Sequence, residues 1–167
     1  LRELARERQV QLPSETAGGL METVFKDRYA SLDDYLRGFA YTTAVLQDAE
    51  ALERVAYELA EDNFEEGVRY FEVRFAPQLH AHGGLDMEAV LRAVNKGLQR
   101  AAKKYNKLPA VVAKEEPEYV YSITVCGMRF FNEHFSTYYR DFMRVHPYSP
   151  KKEVYSLGSL ELAQAAV

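Results

Sequence analysis

The chain carries a single cysteine, Cys126. One thiol cannot close an internal disulfide, and without a CxxC pair or a Cys/His cluster nothing points to a structural zinc, so a reducing, cytoplasmic setting is expected. Long hydrophobic runs are missing too. No apolar stretch reaches the roughly 18 residues of a membrane span, and the opening LRELARERQV is charged and helix-forming rather than a secretory leader. Neither sign of charge dominates. Lys plus Arg number 21 against 25 Asp plus Glu, with the acidic residues dispersed, so no basic face suggests nucleic acid and no charge block suggests a tail. Internal repeats and low-complexity segments are also absent.

What remains is 167 residues, 47% of them hydrophobic, enough to bury a core in one domain. Helical spacing appears early. Leu1, Leu4 and Ala5 share one side of Leu1–Val10, a run that ends before Pro13. In SLDDYLRGFAYTTAVLQ, Ser31 is a plausible N-cap and Asp33 and Asp34 suit the first turn; Leu32, Tyr35, Leu36 and Phe39 form one apolar face, with Gly38 a weak point. From Asp48, the stripe Leu52, Val55, Ala56, Leu59, Ala60 predicts a helix to about Glu66 with Gly67 at its C-terminal cap. LDMEAVLRAVNKGLQRAAKKY predicts another, with Met87, Val90, Leu91, Val94 and Leu98 inward and Lys103 and Lys104 near its C-terminus.

Two strands are predicted between these helices: Val68–Phe75, stopped by Pro77, and Tyr121–Arg129, after a loop from Asn106 to about Glu118. The order helix, strand, helix, strand implies an α/β fold with parallel strands and crossover helices. Phe130–Tyr155 has an irregular aromatic pattern, and SLGSLELAQAAV opens a last helix. In the first strand, Tyr70, Glu72 and Arg74 share one face and Phe71, Val73 and Phe75 the other. Charges on a core strand suit a (β/α) barrel, whose polar face looks inward near the carboxyl ends; a solvated edge strand with a surface Glu72–Arg74 pair fits equally.

The segments SLDDYLRGF, ALERVAYELAEDNFEEGVRYFEVRFAPQLH and ITVCGMRFF resemble parts of the adenosine deaminase family, zinc-dependent aminohydrolases on a (β/α)8 barrel. The most specific elements are a helix running into E-V-R-[FY]-x-P and a later C-x-M-R. The resemblance implies that Leu1–Val10 is the first barrel helix, Val68–Phe75 the second strand and Ser122–Arg129 the third. Residues 1–167 would then be a partial TIM-type barrel domain, from the first helix through the helix after the third strand. It also implies that Leu32, Tyr35, Leu36 and Phe39 wall a purine pocket, that Ala76 and Met128 approach the nucleoside, and that Arg74 and Arg129 support the barrel mouth.

By the same resemblance, zinc would activate a water that attacks purine C6 of a nucleoside substrate, a glutamate would shuttle protons, and ammonia would leave. The family's metal-binding H-x-H lies on the first strand and its other ligands and acid–base groups on later strands; none of those segments is present. No catalytic residue and no metal ligand is therefore assigned to this chain. His80 and His82 form an H-x-H in QLHAHGG, but they follow Pro77 in a Gly-rich loop with no third ligand near, and His134 and His146 are weaker still. A full barrel needs about 250 residues, so an incomplete piece is expected, inactive alone. The alternatives are an aminohydrolase of adenine or a modified adenosine nucleotide, and a non-catalytic half-barrel module whose open sheet edges pair in an oligomer.

Overall fold

Each longer helix of the middle of the chain starts at a side chain that accepts the first free amides. Ser31 Oγ accepts from the Asp34 N–H at 3.2 Å, Asp48 Oδ1 from Ala51 at 2.8 Å, and Asp86 Oδ1 from Ala89 at 2.7 Å. The computed structural model describes residues 1–167, which fall into two units, Leu1–Gln47 and Asp48–Val167. No helix is long and apolar enough to cross a membrane.

The first unit holds α1 (Arg2–Glu7), α2 (Ala17–Thr23) and α3 (Leu32–Ala44). Leu4 and Ala5 of α1 are buried as their spacing predicts. α2 escapes the sequence pattern because Gly18 and Gly19 depress its helix propensity; Thr16 caps it, accepting from the Gly19 N–H at 3.0 Å. In α3 the buried residue is Gly38, where an added Cβ would stand 3.1 Å from the Phe25 ring and 3.4 Å from Val24. Gly38 thus buys close packing with its weak propensity.

The second unit holds α4 (Ala49–Glu65), β1 (Tyr70–Phe75), a 3-10 turn at Pro77–Leu79, α5 (Met87–Tyr105), α6 (Pro109–Val112), β2 (Val120–Val125), α7 (Thr137–Val145) and α8 (Lys151–Ala165). The strands form a two-stranded parallel sheet joined through α5, the α/β arrangement the sequence implies. α4 ends in a Schellman motif: Gly67, at φ +89, donates its N–H to Phe64 O at 3.0 Å and Val68 to Asn63 O at 2.9 Å. Only Val68 and Arg69 separate this cap from β1.

α4 and α5 pack most closely of all the helices. Their contact runs through small residues: Ala51, Ala56 and Ala60 are buried on α4, and Ala93, Gly97 and Ala101 on α5. A Cβ at Gly97 would fall 2.2 Å from the Glu53 carbonyl oxygen. The buried face of α4 is therefore turned toward Ala51, leaving Leu59 exposed against expectation.

Other boundaries also differ. β1 starts at Tyr70 because the Val68 N–H is spent in the helix cap. β2 stops at Val125 rather than reaching Arg129: the Cys126 N–H donates to Phe75 O at 2.8 Å, and then β1 turns away at Pro77, leaving β2 no partner. The aromatic segment is ordered rather than irregular. Ser136 caps α7, α8 begins at Lys151, and Phe131, Tyr139, Phe142 and Val154 form a buried cluster between them.

Candidate functional site

The parallel register pairs Tyr70 with Val120, Glu72 with Ser122 and Arg74 with Thr124 on one face of the sheet. Phe71, Val73 and Phe75 pair with Tyr121, Ile123 and Val125 on the other. The second face turns to the helices: Phe71 stacks on Tyr119 at 5.5 Å, and the Tyr121 hydroxyl donates to Asn95 Oδ1 of α5 at 2.8 Å. Tyr119 in turn donates to Ala60 O of α4 at 2.7 Å, and burial, reinforced by neighbouring Tyr105, pushes its phenol up to about 12. Tyr70, Glu72 and Arg74 are exposed on the opposite face. There the Tyr70 hydroxyl donates to Glu72 Oε1 at 2.6 Å, and that bond to a carboxylate holds the phenol above its ordinary value.

The carboxyl ends of β1 and β2 lie side by side, and the loops leaving them carry Ala76 and Met128. Ala76 is buried. Met128 packs against the aromatic cluster of Phe131, Tyr139, Phe142 and Val154. Arg74 sits one position before the end of β1, whereas Arg129 is exposed in a bend beyond β2. The loop after β1 is pinned by Gln78, 1% exposed. Its Nε2 donates to Gly158 O at 2.7 Å, its Oε1 accepts from the Tyr139 hydroxyl at 2.8 Å, and its backbone oxygen accepts from Ser136 Oγ at 2.7 Å. Nothing in APQLH distinguishes this glutamine from a surface one, so sequence reasoning missed it.

The remaining candidates lie in the first unit, on α3. Leu32, Tyr35, Leu36 and Phe39 are 69%, 45%, 47% and 52% exposed, an apolar face turned away from the Gly38 contact. Tyr35 meets Tyr29 edge-on at 5.1 Å and Phe39 at 5.5 Å, so three rings form one ladder. Tyr29, which the helical spacing could not include, is the addition.

The histidines do not assemble a metal centre. His80 ends the 3-10 turn, is buried, and lies 6.0 Å from the Phe75 ring. His82 exchanges backbone hydrogen bonds with Leu85 around Gly83, whose φ is +50. His146 packs on Phe142, ring centroids 4.8 Å apart. No group of three or more His, Cys, Asp or Glu side chains converges as a metal site would require. The donors present do not fit a zinc ion.

Comparison with known proteins places these features in a wider context. The family model described as Adenosine deaminase matches residues 1–134. An adenosine deaminase of Vibrio atlanticus (strain LGP32) is 36% identical over 104 residues, covering 62% of this chain and 31% of that protein. One from Clostridium perfringens (strain 13 / Type A) is 43% identical over 105 residues, 62% of this chain and 32% of its own length. One from Vibrio vulnificus (strain YJ016) is 33% identical over 136 residues, 78% and 41%. The chain thus spans about a third of the length of the first of these curated relatives. All the candidate residues on α3, β1 and the two loops fall inside the matched span, which ends before α7.

Proposed function

The chain belongs to the adenosine deaminase family, and from that premise we propose that it supplies scaffold and pocket wall to a hydrolase that converts adenosine, or a close purine nucleoside, to inosine and ammonia. The family match over residues 1–134 carries this reading. β1 and β2 then serve as the second and third strands of a (β/α)8 barrel, a reading supported by their parallel pairing and by the polar face opposite the helices.

The exposed face of α3 is the purine wall: Leu32, Leu36 and Phe39 offer apolar surface, and Tyr35 offers a ring face. The family resemblance further assigns Ala76 and Met128 to approach the nucleoside and Arg74 and Arg129 to support the barrel mouth. No group of three or more His, Cys, Asp or Glu side chains converges here, so this reading assigns neither a zinc ligand nor a step of the reaction to the chain's side chains. A cytoplasmic location completes the reading.

The test pairs two assays on the 167-residue protein. With adenosine and added zinc it releases no ammonia, because no metal site forms. Equilibrium dialysis shows weak adenosine binding, on the order of millimolar, that Phe39→Ala weakens several-fold. Zinc-dependent ammonia release overturns the assignment of this chain as wall and scaffold alone. Binding indifferent to Phe39→Ala and Tyr35→Ala overturns the wall.

A further inference from the structure

We propose that Gln78 is a positioning residue that anchors the loop leaving β1, the loop carrying Ala76, to helices α7 and α8. A primary amide buried to 1% exposure is costly unless both of its ends are satisfied, and here both are, by two different helices. The donor end reaches the Gly158 carbonyl in α8, and the acceptor end receives the Tyr139 hydroxyl from α7. The main chain of the same residue takes a third bond, from Ser136 Oγ. That hydroxyl also caps α7, accepting from the Tyr139 N–H at 3.3 Å, so one oxygen joins the start of α7 to the loop. At Gly158 an added Cβ would stand 3.2 Å from the Phe131 ring, so the absent side chain lets the aromatic cluster close around this joint.

Ser136, Tyr139 and Gly158 all lie beyond residue 134, where the family match ends. The carboxyl end of β1, within the shared span, is therefore held by elements outside it. Any ligand contact made by this loop then depends on α7 and α8 through Gln78.

The anchor itself is independent of the deaminase reading; its effect on a ligand rests on that reading, through Ala76. The experiment uses the whole 167-residue protein and Gln78→Met, which keeps side-chain length and removes both amide bonds. Hydrogen exchange is followed at Leu79 and His80, whose N–H groups donate to Ala76 O and Pro77 O at 3.0 Å each. Exchange there rises at least tenfold while α4 and α5 amides are unchanged. Tyr139→Phe, which keeps the ring stacked on Phe131 at 4.2 Å, gives a smaller rise, and the double variant exchanges no faster than Gln78→Met alone.

Unchanged exchange at Leu79 and His80, or full additivity of the two substitutions, overturns the anchor. Should Gln78→Met fail to fold, Tyr139→Phe and Ser136→Ala carry the same comparison. Adenosine dialysis supplies the second readout: the dissociation constant rises about tenfold in Gln78→Met. Faster loop exchange with unchanged affinity reduces Gln78 to a structural tether and overturns the positioning role. Absence of binding by the unsubstituted protein counts against the deaminase reading, and the exchange result then decides the anchor alone.

Discussion

At Gly97 there is no room for a methyl group. The added Cβ would lie 2.2 Å from one backbone atom of α4, the Glu53 oxygen, and 2.9 Å from another, the Tyr57 nitrogen. Backbone cannot swing aside as a side chain can, so Gly97→Ala must push the two helices apart. We expect a loss of about 1–3 kcal/mol, the usual cost of overpacking, despite alanine's better helix propensity. Urea unfolding checks it, as a lower midpoint at an unchanged slope. Gly38→Ala meets a ring edge 3.1 Å away instead, which can shift by a few tenths of an ångström, so its loss is smaller. The contrast explains why glycines were hard to interpret in sequence. Both look like helix-weakening residues, and only the partner atom tells a structural necessity from a tolerance.

Between α4 and α5 the packing of small residues is flanked by a polar joint. Lys104 Nζ pairs with Glu61 Oε1, which also accepts from the Tyr57 hydroxyl at 2.7 Å and the Tyr105 hydroxyl at 3.3 Å. Lys104, then Tyr57, hold the Glu61 carboxyl below the usual carboxylate range. A depressed folded pKa contributes stability that is present above the unfolded value, about 4.3, and is lost as pH falls through the folded value. The melting temperatures of wild type and Glu61→Gln should therefore differ near neutrality and converge as the solution is acidified below about pH 4.3. Parallel curves throughout would deny the joint any linkage to pH. At this scale the sequence was most informative where caps and periodicity agreed. Ser31 and Asp48 announce α3 and α4, and alternation in YFEVRF sorts the faces of β1 correctly. It was silent where tertiary contacts decide: Ala51 outranks Leu59 because α5 comes close enough only over small side chains. The extent of β2 depends on where its neighbour turns away, and α7 hides in FFNEHFSTYYRDFMRV because its aromatics Tyr139 and Phe142 are buried in a cluster completed by Phe131 before the helix and Val154 of α8 after it.

Across the whole chain, family membership and donor geometry point in complementary directions. The pocket wall proposed on α3 rests on resemblance, since an apolar stripe alone signals burial; what the structure itself shows is that this stripe is exposed. No group of three or more His, Cys, Asp or Glu side chains converges on one point. Elemental analysis of dialysed protein should accordingly find far less than one zinc per chain. A stoichiometric, dialysis-resistant zinc lost on His80→Ala or His82→Ala would reverse that conclusion. The short passage from Gly67 to Tyr70 has its own consequence at this scale. With only Val68 and Arg69 between a locked helix end and the first strand residue, there is no slack to absorb a change of length. Because strand side chains alternate with a period of two, a single-codon insertion there would invert the phase of β1, driving Glu72 and Arg74 into the helices and Phe71 and Val73 out into water. Length variation among relatives should therefore be tolerated in the loops at the carboxyl ends of the strands and purged at this amino-terminal joint.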